Sequence, residues 1–162
     1  MWNETNTLFP VFLKLDNKQV LIIGGGNIAL EKVTALLNNC PDVKIKLVAP
    51  KVLDSILEIA QYTRNLVIHQ REFVEDDFSN VQIAISATGI RDLSKKIKLV
   101  AEKRGVLINV ADTPDLCDFY LGSIVTKGDL KIAISTNGKS PTLAKRLREY
   151  LQQYITDDIL VS

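Results

Sequence analysis

The sequence predicts an α/β fold, a parallel sheet with helices on both faces, followed by a small α+β unit. Three observations predict it: short apolar runs that contain almost no charge, amphipathic helical stretches between them, and a break in this alternation after Asp112. Wholly apolar runs are the mark of strands buried on both faces, and strands alternating with helices imply parallel pairing. The 162 residues suffice for one sizeable core and a smaller appendage.

Val20 to Ile23 is the first such run, and Gly24, Gly25 and Gly26 stop it. From Asn27 the period changes, with Ile28, Val33, Leu36 and Leu37 on one side of a helix that ends near Asn38 and Asn39. Val43 to Val48 is expected to be a second strand, Val52 to Tyr62 a second helix, and Leu66 to His69 a third strand. Val81 to Ser86, Leu93 to Arg104 and Val106 to Val110 repeat strand, helix and strand, with Gly105 as the helix stop. Beyond Asp112, Ser123 to Thr126 and Leu130 to Ser135 flank a turn at Lys127, Gly128 and Asp129, which predicts a hairpin. Ser140 and Pro141 supply an N-cap and a first helical residue for a helix to about Tyr154. A domain edge is expected near Asp112, giving units 1–112 and 113–162.

Composition narrows the function. Apolar residues make up 46% and charged residues 24%, the balance of an ordinary folded protein. A net charge of +1 gives no global field to draw nucleic acid or an anionic membrane, so neither partner is expected. No apolar run approaches the roughly 20 residues of a membrane span, and the N-terminus lacks a basic region followed by an apolar core, so a cytoplasmic protein is expected. Cys40 and Cys117 form no CxxC pair and are expected to be buried thiols. His69 is the single histidine, at a strand end, and is read as structural. Glu75, Asp76 and Asp77 form an acidic run read as a solvated loop rather than an iron site, and no metal ligand set is expected.

The chemistry starts at the glycines. Gly24, Gly26 and Ala29 fit G-x-G-x-x-G/A between a strand and a helix, the context that this fingerprint requires. The first glycine permits the turn, the second lets the backbone approach a pyrophosphate, and the small third residue lets helix and strand pack closely. The phosphates then meet free N–H groups at the helix N-terminus. The sheet is therefore expected to be Rossmann-type, with a nicotinamide dinucleotide as cofactor. The acid that commonly follows about 20 residues later to bind the ribose is missing, because Val48, Ala49 and Pro50 stand there. Lys46 or Lys51 would tolerate a 2'-phosphate, which leaves NAD and NADP open on residue chemistry alone.

Further segments align in order. Phe9 to Leu13, Gly24 to Gly26 with Ala29 and Lys32, Val48-Ala49-Pro50, Ala87-Thr88, Asn109-Val110-Ala111-Asp112, Cys117-Asp118-Phe119, and Ile134 to Pro141 with Leu143, Ala144 and Arg148 together resemble the precorrin-2 dehydrogenase family, the NAD-dependent module of siroheme synthases. The resemblance implies oxidation of precorrin-2 to sirohydrochlorin with NAD as acceptor, in a homodimer. It implies that the C-terminal unit is a dimerisation and substrate-binding unit. Cofactor contacts are expected at Gly24, Gly25, Gly26, Asn27, Ile28, Pro50, Ala87 and Thr88. Substrate contacts are expected at Asn109, Ser135, Thr136, Gly138, Lys139 and Ser140, where a helix N-terminus and nearby cations suit the carboxylates of a tetrapyrrole.

Asp112 falls on the family's acidic N-V-x-D position and is expected to be the catalytic residue. It also follows the carboxyl end of a strand, where open α/β sheets place ligands. Taken without the resemblance, an aspartate before Thr113-Pro114 reads as a turn or cap residue. Some members of the family also insert ferrous iron, and a non-catalytic NAD(H)-sensing module is a rival of a different class. Gly89, Ile90 and Ser94 replace an acidic pair and an asparagine, while Leu121-Gly122 and Asn137 replace a proline-containing pair and a glycine. Members usually continue beyond the position of Ser162 into a helical region, so either the chain is truncated or its pocket is unusually open.

Overall fold

The computed structural model describes residues 6–155. Residues 12–119 form one compact unit, and the described residues of the other are 6–11 and 120–155. The units thus divide after Phe119, where the change of pattern placed an edge near Asp112.

In the larger unit, β1 (Gln19–Ile23) leads into α1 (Asn27–Asn39), then β2 (Lys44–Val48), α2 (Asp54–Tyr62), β3 (Leu66–His69), β4 (Ile83–Ser86), α3 (Arg91–Arg104) and β5 (Leu107–Val110). The five strands are parallel, in the order β3-β2-β1-β4-β5. This is the expected Rossmann-type sheet, and its order reverses between β1 and β4. Ligands of open α/β sheets lie at such a reversal, outside the carboxyl ends of the strands.

The strand residues alternate between two cores. Val20, Ile22, Ile45, Leu47 and Ile85 pack with Ala29, Val33 and Ile56 from α1 and α2. Leu21, Ile23, Val48, Ala84, Ile108 and Val110 pack with Ile97, Val100 and Ala101 from α3. Two apolar faces on one sheet are what the charge-free runs of β1, β4 and β5 require, whereas β2 carries Lys44 and Lys46.

Several expected boundaries shift. Val43, Val81 and Val106 are buried but precede their strands, because their amides bond to Cys40, Phe78 and Ala101 in the entering turns. α2 starts at Asp54 rather than Val52, since the Leu53 amide donates to the Gly25 carbonyl at 2.9 Å. α3 starts earlier than Leu93, at Arg91, and Gly105 ends it in the left-handed region at φ 66°. Cys40 and Cys117 are half-buried rather than buried.

In the smaller unit, β6 (Ser123–Lys127) and β7 (Leu130–Ile134) form the hairpin, and α4 (Pro141–Tyr154) follows. Lys127 pairs with Leu130, so the turn is Gly128-Asp129 alone. Ser140 caps α4, its Oγ accepting from the Leu143 amide at 3.3 Å. Val125, Ile134 and Ala144 form its small core, with Ile132, Leu151 and Ile155 against it.

Candidate functional site

A cleft of about 950 Å³ opens above the carboxyl ends of β1, β2 and β4. The expected cofactor residues Gly24, Gly25, Gly26, Asn27, Ile28, Pro50, Ala87 and Thr88 all line it. Three adjacent glycines do different work there. Gly24 has φ +124°, and a Cβ on it would lie 2.3 Å from the Ala87 carbonyl oxygen. A Cβ on Gly25 would lie 2.2 Å from the Lys51 carbonyl oxygen. On Gly26 it would meet nothing within 4 Å. Two glycines are thus demanded by the protein's own packing, whereas the third faces open space at the start of α1.

The α1 N-terminus suits an anion. Gly26 is its N-cap, no side chain caps it, and its first turn holds no acidic residue. Its leading N–H groups and the positive end of its dipole therefore face the cleft, a match for a pyrophosphate. On the β4 side, Ser94 is buried and its Oγ lies 3.0 Å from Ser86 Oγ and 3.1 Å from Thr88 Oγ1. Thr88 Oγ1 also accepts from the Ile90 amide at 3.1 Å, which shapes the turn at the cleft edge.

The sequence reasoning missed Glu72 and Phe73, which also line the cleft. They follow β3 and are held by a neighbouring ion pair: Arg71 donates to both Asp77 carboxylate oxygens, at 2.8 and 2.6 Å. Asp77 is 3% exposed, so the reading of its acidic run as a solvated loop fails at this residue. Burial pushes the Asp77 carboxyl up, but the Arg71 hydrogen bonds, the Val74 amide and the charges of Arg71 and Lys46 outweigh it and hold the group below its ordinary range. Lys46 lies 4.0 Å from Asp77 and does not line the cleft, whereas Lys51 does.

Asp112 does not line the cleft. The neighbouring Ala111 amide donates to the Ser86 carbonyl at 2.9 Å, which ties this strand end to the Ser86–Thr88 end of β4. Asp112 is exposed, has φ 59° and has no hydrogen bond or ion pair among the described residues. A turn closes around it, from the Thr113 amide to the Val110 carbonyl at 3.2 Å. Cys117 Sγ braces that turn, accepting from the Val110 amide and donating to the Val110 carbonyl, both at 3.2 Å. Burial pushes the Cys117 thiol up, so it stays protonated and keeps its donor. Asn109 is buried, and its side-chain amide donates to the Phe119 carbonyl at 2.9 Å.

In the smaller unit, Ser135, Thr136, Gly138, Lys139 and Ser140 form the loop that enters α4. Thr136 Oγ1 accepts from the Ser140 amide at 3.2 Å and donates to its carbonyl at 3.1 Å, while Ser135 Oγ accepts from the Asn137 amide at 3.1 Å. Asn137 lies here at φ 54°, a conformation that asparagine tolerates better than most residues.

Residues 11–123 match the family model described as "Putative NAD(P)-binding", and residues 127–154 match the one described as "Sirohaem biosynthesis protein central". The siroheme synthase of Pseudoalteromonas translucida (strain TAC 125) is 39% identical over 150 residues, 93% of this chain and 31% of that protein. That of Nitrosococcus oceani is 37% identical over 146 residues, 90% of this chain and 31% of that protein. The chain thus spans about a third of the length of these curated relatives. The solved structure of SirC, precorrin-2 dehydrogenase, superposes with a TM-score of 0.73 at 28% identity, covering 94% of this chain and 73% of that one.

Proposed function

The chain belongs to the NAD(P)-binding family matched over residues 11–123, and from that premise we propose that it is an NAD-dependent precorrin-2 dehydrogenase acting in siroheme biosynthesis. The observation that carries this reading is the glycine bend, where Gly26 and the uncapped α1 N-terminus leave room and donors for a pyrophosphate at the sheet's reversal point. NAD, when bound, supplies the acceptor for the two electrons removed as precorrin-2 becomes sirohydrochlorin. Gly24, Gly25, Gly26, Asn27 and Ile28 hold its phosphates, with Pro50, Ala87 and Thr88 along the remaining wall.

Asp112 takes up the proton that the substrate loses. Its carboxylate carries no other partner among the described residues, and it stands at a strand end beside β4. Ser135, Thr136, Gly138, Lys139 and Ser140 receive substrate carboxylates, and Asn109, being buried, acts by bracing the strand end that carries Asp112. The protein works in the cytoplasm as a homodimer. Support for the dimer comes from α4, where Leu143, Leu147, Tyr150 and Tyr154 form an exposed stripe at helical spacing. No described helix is long and apolar enough to cross a membrane.

The reading is tested by following visible absorbance while the protein is incubated without oxygen with precorrin-2 and NAD. Sirohydrochlorin forms only when protein and NAD are both present. Binding of NAD without any change in the tetrapyrrole spectrum would instead leave an NAD(H)-sensing module.

A further inference from the structure

We infer that Glu72 replaces the acid missing from the end of β2: its carboxylate receives the hydroxyls of the dinucleotide's adenosine ribose and sets a preference for NAD over NADP. The inference rests on the assignment of the cleft to a dinucleotide. In related sheets an acid at the end of the second strand binds the ribose. Here Val48, Ala49 and Pro50 occupy that end and offer no carboxylate.

The chain brings one in from the neighbouring strand. The Ala49 amide donates to the His69 carbonyl at 3.2 Å, and the Arg71 amide donates to the same carbonyl at 2.9 Å. The backbone therefore turns beside the β2 end, and Glu72 and Phe73 line the cleft together with Ala49 and Pro50. The turn is fixed rather than loose. Arg71 grips Asp77 through two hydrogen bonds, the Val74 amide donates to Asp77 Oδ2 at 3.0 Å, and Arg71 Nη1 also donates to the Glu72 carbonyl at 2.9 Å.

Of the residues that line the cleft, Lys51 and Glu72 alone carry charge. The Glu72 side chain is exposed and has no hydrogen bond or ion pair among the described residues. A carboxylate in that position accepts from both ribose hydroxyls and repels a 2'-phosphate. Lys51 would do the reverse, so the nucleotide preference reports which of the two meets the ribose.

Calorimetric titration of the wild type, Glu72→Gln and Glu75→Gln with NAD and with NADP decides between them, Glu75 being an acid of the adjoining turn outside the cleft lining. Glu72→Gln is expected to weaken NAD about tenfold, as loss of a charge-assisted pair does, and to leave NADP as tight or tighter. Glu75→Gln should leave both affinities in place. A wild type that binds NAD, with a Glu72→Gln preference ratio equal to its own, overturns this inference alone. A wild type that binds neither nucleotide overturns it together with the assignment of the cleft.

Discussion

Gly24 sits in a conformation open to few side chains, with the Ala87 carbonyl pressed where a Cβ would stand. Gly24→Ala is therefore expected to cost about 3 kcal/mol or more in chemical denaturation, whether or not a nucleotide is present. Asp112 is a residue of a different kind, since nothing in the protein's packing uses its carboxylate. Asp112→Asn, which removes the carboxylate and keeps a residue that tolerates φ 59°, should slow sirohydrochlorin formation by about a hundredfold or more while NAD affinity and melting temperature hold. An unchanged rate would remove its assigned role. The glycines were legible because their chemistry is local: three in a row between a strand and a helix admit few explanations. Glu72 was not, because one acid in a loop forms no pattern and gains its meaning only from β3 pairing beside β2. Asp77 was misread for the same reason, its partner Arg71 standing outside the acidic run.

Elements were more legible than residues wherever a cap or stop was written beside the periodicity. Ser140-Pro141 fixed the start of α4 and Gly105 the end of α3, and both lie where the sequence places them. Boundaries moved where tertiary hydrogen bonds intervened, as at α2, whose expected first residues are held instead against Gly25. The turn after β3 depends in turn on the Arg71–Asp77 pair. Asp77→Ala leaves the half-exposed Arg71 able to hydrate, so a cost of about 2 kcal/mol is expected, below that of a wholly buried pair. The sign of its pH dependence follows from a carboxyl held below its ordinary range. Its stabilisation is complete above the ordinary carboxylate range and is lost as pH falls through the lowered value. Denaturation midpoints measured down an acid series should fall for the wild type, and Asp77→Asn should start lower and fall less.

For the whole molecule, the strand order places the reversal of the sheet between β1 and β4, so the glycine bend and the Ala87–Thr88 end of β4 face one cleft without any residue being added for the purpose. That convergence was legible as a fold class, since βαβ grammar and the glycine fingerprint together leave little else. The proposed homodimer draws on a different place, the exposed apolar stripe of α4. Leu147→Glu is expected to convert a dimer into monomers in sedimentation velocity, and a wild type that sediments as a monomer would refute the assignment of that face. The central claim is that a dinucleotide's phosphates rest on the open side of the glycine bend, and Gly26→Ala isolates it because the added methyl meets no protein atom. Calorimetric titration with NAD should show one site per wild-type chain and a loss of at least about tenfold in affinity in Gly26→Ala, with the melting temperature lowered only by the few degrees that an alanine N-cap costs. Equal affinity for NAD in the two proteins would contradict the account.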